Sequence, residues 1–327
     1  MIQSTTKQTL SPACVTYLAA EVHPSVLSGY QDLGDGYFNT ALLLSYADGN
    51  RVVLKIAPPP STRVLRQEAG LMQIEVDTMR YVAANTSLPV PHILAYRTDS
   101  PHVASPYMAM AYLEGTPLDR LLRTMPDEDR ARVFTSLGRY TAELHGHHTA
   151  QFGAPTHRHD TWSAAFGEMV DDVLLDAKDV GADLGVSPQT LVDTVASYAG
   201  ILDEVRVPTL LHRDLWYGNV FVNPATLEIV GITDWERSIS GDPLMEFVCG
   251  LLEGLFAPSG NAAFNAGYGR SGVLSETERI RVDLYSIYLA LLLVVEGYYR
   301  GYRNPDQEQQ MHGALKRLME GLRPEAR

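Results

Sequence analysis

The chain has 327 residues, of which 45% are apolar and 20% are charged, and this near-average globular composition excludes wholesale disorder. Its length corresponds to about two domains at about 150 residues each. With 26 basic and 39 acidic residues the formal net charge is −13. General nucleic-acid binding is therefore not expected, because phosphate contacts need a basic face.

Cysteine usage and hydropathy indicate the compartment. Cys14 and Cys249 are far apart and match no metal-ligand spacing, so a disulfide framework is excluded and a reducing environment is indicated. The longest nearly apolar run, 285–295, is much shorter than the about 20 residues that cross a bilayer. We therefore expect a cytoplasmic protein with no membrane partner.

The amino-terminal third is predicted to be mostly strand. Apolar runs at 41–46 and 51–56 flank Asp48-Gly49, which is a strong hairpin signal. A helix is predicted after the proline run 58–60, and it should end before Pro89 because proline breaks helices. Another apolar strand is predicted over 107–112.

Beyond Gly115 the pattern becomes mainly helical. The helical signals are Pro126 at a first helical position, the segment 162–205, the capping box Ser275-x-x-Glu278, the apolar stretches 251–256 and 284–295, and Asn304-Pro305. Short β segments are predicted between 210 and 234. The expected fold is α+β, with a small β-rich lobe over 1–113 and a larger, mostly helical lobe over 114–327. Ligands often bind in the crevice between such lobes.

Oxygen-bearing side chains cluster in one part of the larger lobe. Asp214 and Asn219 lie in a polar loop, and a predicted strand–turn–strand then returns the chain to Asp234. Paired strands lie about 5 Å apart, so Asn219 and Asp234 should be neighbours. Carboxylate and amide oxygens suit Mg²⁺, which completes its shell with waters and phosphates. The pattern predicts a magnesium site here.

The segment His212-Arg-Asp-Leu-x-x-Gly-Asn219 followed by 232–236, Ile-Thr-Asp-Trp-Glu, resembles the aminoglycoside phosphotransferase family, relatives of choline kinase and more distantly of protein kinases. The resemblance spans about residues 33–247 and implies a bilobal protein-kinase-like fold. It implies that Asp214 is the catalytic aspartate and that Asn219 and Asp234 hold Mg²⁺ on the nucleotide phosphates.

Two positions depart from the family's pattern. Arg213 stands where these small-molecule kinases more often have Gly, and it makes the triplet resemble that of protein kinases. Glu246, in Gly241-Asp-Pro-x-x-Glu-Phe247, stands where Asp is usual. We interpret the 241–247 segment as structural.

The smaller lobe should supply a cation to the nucleotide phosphates. Lys55 is the one lysine within a strand pattern, at the end of the predicted hairpin. Such a lysine needs a carboxylate partner. Glu75 lies on the apolar stripe of the following helix, where an unpaired acid would be costly, and it is the predicted partner. Glu68 is the alternative.

Two further segments complete the predicted nucleotide site. Before the hairpin, Gly34 and Gly36 allow a close backbone approach to phosphates, and Asn39 occupies the position where a third glycine would complete a dinucleotide-binding fingerprint. The strand at 107–112 resembles the family's linker between lobes. By that resemblance Met110 flanks the purine, and the Ala111 carbonyl and Leu113 amide pair with its edge.

The sequence therefore predicts a Mg²⁺-dependent kinase that uses ATP or GTP and phosphorylates a hydroxyl of a small acceptor. The resemblance favours an antibiotic acceptor (aminoglycoside, nucleoside antibiotic or macrolide) and hence resistance. A metabolic alcohol or sugar, a protein kinase and a non-catalytic nucleotide-binding regulator remain alternatives. The insert at about 160–205 and the helices over 275–322 are expected to frame the acceptor, and the oligomeric state is left open.

An acidic patch lies within that insert. Asp171, Asp172 and Asp176 are close together on one predicted helix. They are interpreted as a solvated helix face, with an acidic wall for a cationic acceptor as the alternative.

Overall fold

An antiparallel sheet forms most of the first part of the chain. The computed structural model describes residues 4–34, 36, 38–249, 261–270 and 273–322. Within these residues five strands pair in the order β1-β2-β3-β5-β4, with bounds β1 Leu27–Asp32, β2 Thr40–Tyr46, β3 Arg51–Ile56, β4 Ile93–Arg97 and β5 Tyr107–Ala111. The predicted hairpin joins β2 and β3, and Gly49 in its turn has a φ of 86°. The hairpin prediction is confirmed.

Helix α1, Pro12–Val22, was not predicted from the sequence. Its side chains Val15, Leu18 and Ala19 follow i, i+3, i+4 spacing and pack on one face of the sheet. Leu54 of β3 points to the same face. The prediction of a mostly β first third is wrong for this segment.

Helix α2, Leu71–Asn85, covers the opposite face of the sheet. Successive side chains of a strand point to opposite faces, so Lys55 points away from α1 when Leu54 points toward it. Glu75 lies on the buried side of α2 together with Met72 and Met79. Strand alternation and helical periodicity thereby bring Lys55 and Glu75 into the same layer.

The rest of the described chain is mainly helical. Its helices are α3 Leu118–Leu121, α4 Asp127–His145, α5 Trp162–Val180, α6 Pro188–Ser197, α7 Ala199–Leu202, α8 Pro243–Cys249, α9 Ala262–Tyr268, α10 Glu276–Arg300 and α11 Pro305–Gly321. The capping box predicted at Ser275 and Glu278 opens α10 as expected. Of the two predicted apolar stretches, 284–295 is buried within α10, and 251–256 lies outside the described residues.

Short strands interrupt the helices. They are β6 Thr116–Pro117, β7 Thr209–Leu211, β8 Val220–Val222, β9 Ile229–Ile232 and β10 Ile239–Gly241. Those at 209–211, 220–222 and 229–232 lie where the sequence predicted β structure, and those at 116–117 and 239–241 were not predicted. Strand β8 pairs with β9, and β7 pairs with β10. The β-rich first part and the mainly helical second part confirm the α+β class. Across the described ranges, no helix combines the length and the apolar character that a bilayer crossing requires.

Candidate active site

The loop 212–219 follows β7 and is anchored by His212. The His212 imidazole is wholly buried, and its ring centroid lies 4.4 Å from that of Trp235. Its Nδ1 accepts a hydrogen bond from the Asp214 backbone N–H at 3.2 Å, so its Nε2 carries the proton and donates to the Thr233 carbonyl at 2.8 Å. Burial lowers the pKa of His212, which favours this neutral form. The neutral imidazole thus ties the 212–219 loop to the segment after β9.

Asp214 and Asn219 are joined inside this loop. Asn219 Nδ2 donates to the Asp214 carbonyl at 2.8 Å and to its Oδ2 at 3.2 Å. Both partners are acceptors, so the amide orientation is fixed and Oδ1 is directed away from Asp214. Desolvation raises the pKa of Asp214 to about 7, although the nearby positive charge of Arg237 acts to lower it. A carboxylate with a raised pKa accepts a proton more readily than an ordinary aspartate does.

Asp234 follows β9 in the left-handed region, with a φ of 64°. The β8–β9 hairpin brings this segment beside Asn219, because the Thr233 N–H donates to the Asn219 carbonyl at 3.0 Å. Burial alone would raise the pKa of Asp234, but the Lys55 ammonium holds it below its ordinary value. An ionised carboxylate and an oriented amide oxygen on adjoining segments fit the few protein ligands that Mg²⁺ takes.

Lys55 lies between two carboxylates. Its Nζ is 2.7 Å from Glu75 Oε1, and it also contacts Asp234 Oδ1. Glu75 is wholly buried. Burial alone would lower the pKa of Lys55, but Asp234 and Glu75 together raise it well above its ordinary value. Lys55 is thus a fixed cation facing the 212–219 loop.

Glu68, the alternative partner for Lys55, has other contacts. Its Oε1 lies 2.6 Å from an Arg300 nitrogen, and its Oε2 accepts from the Leu65 N–H at 3.1 Å. Arg300 also lies 2.5 Å from Glu296 of its own helix. Glu68 therefore joins the turn before α2 to the end of α10, and Glu75 is the carboxylate beside Lys55.

The glycine-containing segment before β2 reaches the same region. Gly34 accepts a hydrogen bond from Lys7 Nζ at 3.3 Å, and a Cβ on Gly36 would meet only the Asn39 carbonyl, at 3.8 Å. Positions 35 and 37 lie outside the described residues. Asn39 Nδ2 donates to Glu236 Oε2 at 2.7 Å, and Asn39 Oδ1 is buried without a hydrogen-bond partner in the described part of the chain. This segment therefore lies close to the segment that follows Asp234.

The predicted linker residues lie at the end of β5. Met110 is buried, whereas Ala111 and Leu113 are half-buried. The Ala111 N–H donates to the His92 carbonyl at 2.9 Å. Leu113 covers Gly231 of β9, where a Cβ would come within 2.2 Å of Leu113 Cδ1. The linker thus packs directly on the hairpin that carries Asn219 and Asp234.

Sequence reasoning missed two polar residues of this region. Glu236 was part of the quoted motif but received no role, and it is the residue that Asn39 contacts. Gln67 was not singled out, yet its Oε1 accepts from Arg213 at 2.8 Å and from Tyr288 at 2.6 Å. A second acid two residues after Asp234, within the quoted motif, was the available signal for Glu236. Gln67 offered none, because its partners come from distant parts of the chain.

The acidic patch on α5 is only partly a solvated face. Asp171 is exposed, as predicted. Asp176 is buried, contacts the Arg66 guanidinium and accepts from the Tyr299 hydroxyl at 3.1 Å. The prediction of a solvated face is therefore wrong for Asp176, because a cation from the turn before α2 covers it.

The fold and the site define a protein-kinase-like phosphotransferase: a β-sheet lobe carrying a lysine–glutamate pair faces a helical lobe carrying an aspartate–asparagine loop. The chain belongs to the phosphotransferase enzyme family, whose sequence model matches residues 29–282. The prediction of a phosphotransferase is thereby confirmed. The predicted family resemblance and bilobal protein-kinase-like fold are confirmed.

Solved structures share this fold at low sequence identity. A thermostable mutant of aminoglycoside phosphotransferase APH(4)-Ia is 18% identical, with a TM-score of 0.68 over 95% of this chain and 99% of that one. A putative fructosamine-3-kinase from Thermobifida fusca is 17% identical, with a TM-score of 0.64 over 93% and 98%.

A longer protein also contains a similar region. The probable acyl-CoA dehydrogenase IBR3 of Arabidopsis thaliana is 23% identical over 220 residues, which are 65% of this chain and 26% of that protein. The chain therefore spans about a quarter of the length of this relative.

Proposed function

We propose that this protein transfers the γ-phosphate of ATP or GTP to a hydroxyl group of a small molecule in a Mg²⁺-dependent reaction. One observation carries the proposal: Lys55, held by Glu75, meets Asp234 beside the Asp214–Asn219 loop. Catalysis of phosphoryl transfer needs positioning and charge neutralisation more than covalent chemistry by the protein, and this arrangement offers both.

In this proposal residues 1–113 bind the nucleotide. Lys55 neutralises charge on the phosphates, and Gly34, Gly36 and Asn39 line the phosphate side. At the other end, Met110, Ala111 and Leu113 border the purine through one side chain and two backbone groups. The contacts of these segments with β9 and with the 234–236 segment support one continuous site.

Residues 114–327 would supply catalysis and the acceptor site. Asn219 and Asp234 would hold Mg²⁺, which when bound neutralises charge on the transferring phosphate. The acceptor oxygen forms a bond to the γ-phosphorus as the bond from that phosphorus to the bridging β,γ-oxygen breaks, and the hydroxyl proton passes to Asp214. The raised pKa of Asp214 suits it to receive that proton.

The acceptor would belong to one of two classes. An antibiotic acceptor, and with it resistance, is supported by similarity to an aminoglycoside phosphotransferase. A metabolic alcohol or sugar is supported by similarity to a putative fructosamine-3-kinase. We place the reaction in the cytoplasm. A regulator without catalysis is disfavoured because Lys55, Asp214, Asn219 and Asp234 are all present.

A coupled assay of ADP or GDP release, run over acceptors of both classes with and without Mg²⁺, tests this function. Asp214→Ala should abolish acceptor-dependent release while calorimetry still detects nucleotide binding. Asp234→Ala should weaken Mg²⁺–nucleotide binding as well. Full activity of Asp214→Ala, or no binding of either nucleotide by the unmodified protein, would overturn the proposal.

A further inference from the structure

Arg213 is a buried cation with no carboxylate partner in the described part of the chain. The residue as a whole is only 7% exposed. Its guanidinium donates to Gln67 Oε1 at 2.8 Å and lies 5.9 Å from the ring centroid of Tyr288. These contacts are neutral, and burying a guanidinium without a counter-charge is costly. An anion beside Arg213 would remove that cost.

The other buried arginines show what the fold ordinarily provides. Arg281 Nε lies 2.9 Å from Asp242 Oδ2, and Arg300 lies 2.6 Å from Glu68. Arg237, which is less buried, lies 2.6 Å from Glu296. Among the described residues, therefore, Arg213 differs from its neighbours in lacking an internal carboxylate.

Gln67 adds a second donor at the same place. Its Oε1 accepts hydrogen bonds from both Arg213 and the Tyr288 hydroxyl. The amide cannot be reversed, because its NH₂ group would then face the guanidinium of Arg213, which has no acceptor. Its Nε2 is buried and has no hydrogen-bond partner in the described ranges. An unsatisfied buried donor next to an uncompensated cation is the complement of an anionic oxygen.

The backbone conformation of Arg213 is also unfavourable. Its φ is 65°, a left-handed conformation that is unfavourable for a residue with a side chain and that glycine adopts freely. The side chain therefore adds strain as well as an uncompensated charge at this position. A ligand that binds the guanidinium would account for the strained backbone and for the uncompensated charge.

The location is suited to an acceptor. Arg213 directly precedes Asp214, Gln67 lies in the turn before α2, and Tyr288 lies in the middle of α10. Three separate segments of the chain thus meet at the residue that precedes the proposed catalytic aspartate.

We propose that Arg213 and Gln67 bind an anionic group of the acceptor, a carboxylate or a phosphate, while its hydroxyl lies at Asp214. The inference rests on the proposed kinase function and narrows it: the substrate is a negatively charged alcohol and not a polycationic antibiotic. The local cation outweighs the acidic charge of the whole chain, which acts at longer range and is screened by salt.

Matched acceptors test the proposal. Hydroxycarboxylates of three to six carbons are compared with their uncharged methylamides, and sugar phosphates with the same sugars, using nucleotide-dependent ADP release. Aminoglycosides serve as cationic acceptors. We expect kcat/KM to be about 10- to 100-fold higher for the charged member of the preferred pair, as charge-assisted hydrogen bonds imply. The pair that shows the preference identifies the anion as a carboxylate or a phosphate.

Two variants assign the preference to these residues. Arg213→Gly removes the guanidinium and relieves the backbone, and Gln67→Glu gives Arg213 an internal carboxylate. In both, the charged-to-uncharged ratio should fall to about 1, mainly through KM for the charged acceptor. A general structural defect would lower kcat/KM equally for the charged and the uncharged acceptor and would leave their ratio unchanged. Arg139→Gln, an exposed position on α4, is the control and should leave the ratio unchanged.

Failure of the anion site can be distinguished from failure of the proposed kinase function. A ratio that persists in both variants, or faster turnover of uncharged or cationic acceptors, overturns the anion site while acceptor-dependent ADP release still supports a kinase. Absence of acceptor-dependent release from every pair also overturns it. In that case the proposed function is tested separately, by nucleotide binding and by comparing Asp214→Ala with the unmodified protein.

Discussion

The Lys55 ammonium contacts the carboxylate of Asp234, which lies 179 positions further along the chain. One residue belongs to the middle strand of the amino-terminal sheet and the other follows a hairpin of the helical part. Since Glu75 holds the same ammonium from α2, the cation is fixed by both parts of the molecule. Two predictions concern this triad and the neighbouring Glu68.

Replacing Lys55 with Met should destabilise the protein because Glu75 is left buried without a counter-charge. We expect a loss of about 3–5 kcal/mol in the free energy of unfolding, measured by urea denaturation. The double variant Lys55→Met/Glu75→Gln should recover most of that stability but should still not bind nucleotide. Lys178→Met, at an exposed position of α5, is the control. Equal stability of the single and double variants would contradict the pairing.

Glu68→Gln and Glu75→Gln should have separable effects. Glu75→Gln releases Lys55 and should weaken nucleotide binding, measured by calorimetry. Glu68→Gln removes one of the two carboxylates on Arg300 and should lower the free energy of unfolding by about 1–3 kcal/mol, with nucleotide affinity retained. A loss of nucleotide affinity in Glu68→Gln comparable to that in Glu75→Gln would show that both acids support nucleotide binding and would contradict their separate roles.

Contacts set by local periodicity could be predicted from the sequence. The β2–β3 hairpin follows from Asp48-Gly49 between apolar runs, and Glu75 follows from an acid on an apolar helical stripe. The proximity of Asn219 to the Asp234 segment follows from the short hairpin between them. In each case the signal lies within one hairpin or along one helix.

Contacts between distant segments could not be predicted in this way. Asp176 has the pattern of a solvated acid, and only the fold brings Arg66 onto it. The partners of Arg213 come from the turn before α2 and from α10, and no spacing in the chain relates these segments. Helix α1 was missed for a different reason: its Ser11-Pro12 start signal and its i, i+3, i+4 apolar stripe are local, but they were not used.

Glu246 should stabilise the 212–219 loop in a pH-dependent way. Its Oε2 and Oε1 accept hydrogen bonds from the backbone N–H groups of His212 and Arg213 at 2.7 and 2.8 Å. Burial alone would raise the pKa of Glu246, but His145 and His212 hold it below its ordinary value. The carboxylate therefore contributes stability above the unfolded pKa of about 4.3, and the contribution is lost as the pH falls through the folded pKa.

Glu246→Gln should lower the free energy of unfolding by about 1–3 kcal/mol at pH 7, because two N–H donors lose a charged acceptor. The difference from the unmodified protein should be constant from pH 6 to pH 8 and should shrink below about pH 4, measured by urea denaturation at each pH. Glu320→Gln, at an exposed position of α11, should show neither effect. A difference that grows on acidification would contradict an ionised Glu246.

The crossing of α4 and α9 depends on glycine at position 138. A Cβ there would lie 2.3 Å from the Phe264 carbonyl oxygen and 2.8 Å from the Tyr268 nitrogen, both backbone atoms that cannot rotate away. Gly138→Ala should therefore force the helices apart and cost about 1–3 kcal/mol. The same shift should break the 2.8 Å hydrogen bond between Tyr268 and His145, an imidazole 3.7 Å from Glu246.

Gly167→Ala is the matched control for this crossing. Gly167 lies inside α5, and a Cβ there would meet nothing within 4 Å. Because alanine favours a helix interior over glycine by up to about 1 kcal/mol, this variant should be as stable as the unmodified protein or more stable. Thermal unfolding followed by circular dichroism should thus move in opposite directions for the two substitutions. Equal melting temperatures for Gly138→Ala and Gly167→Ala would show that α4 and α9 do not meet as closely as the structure has them.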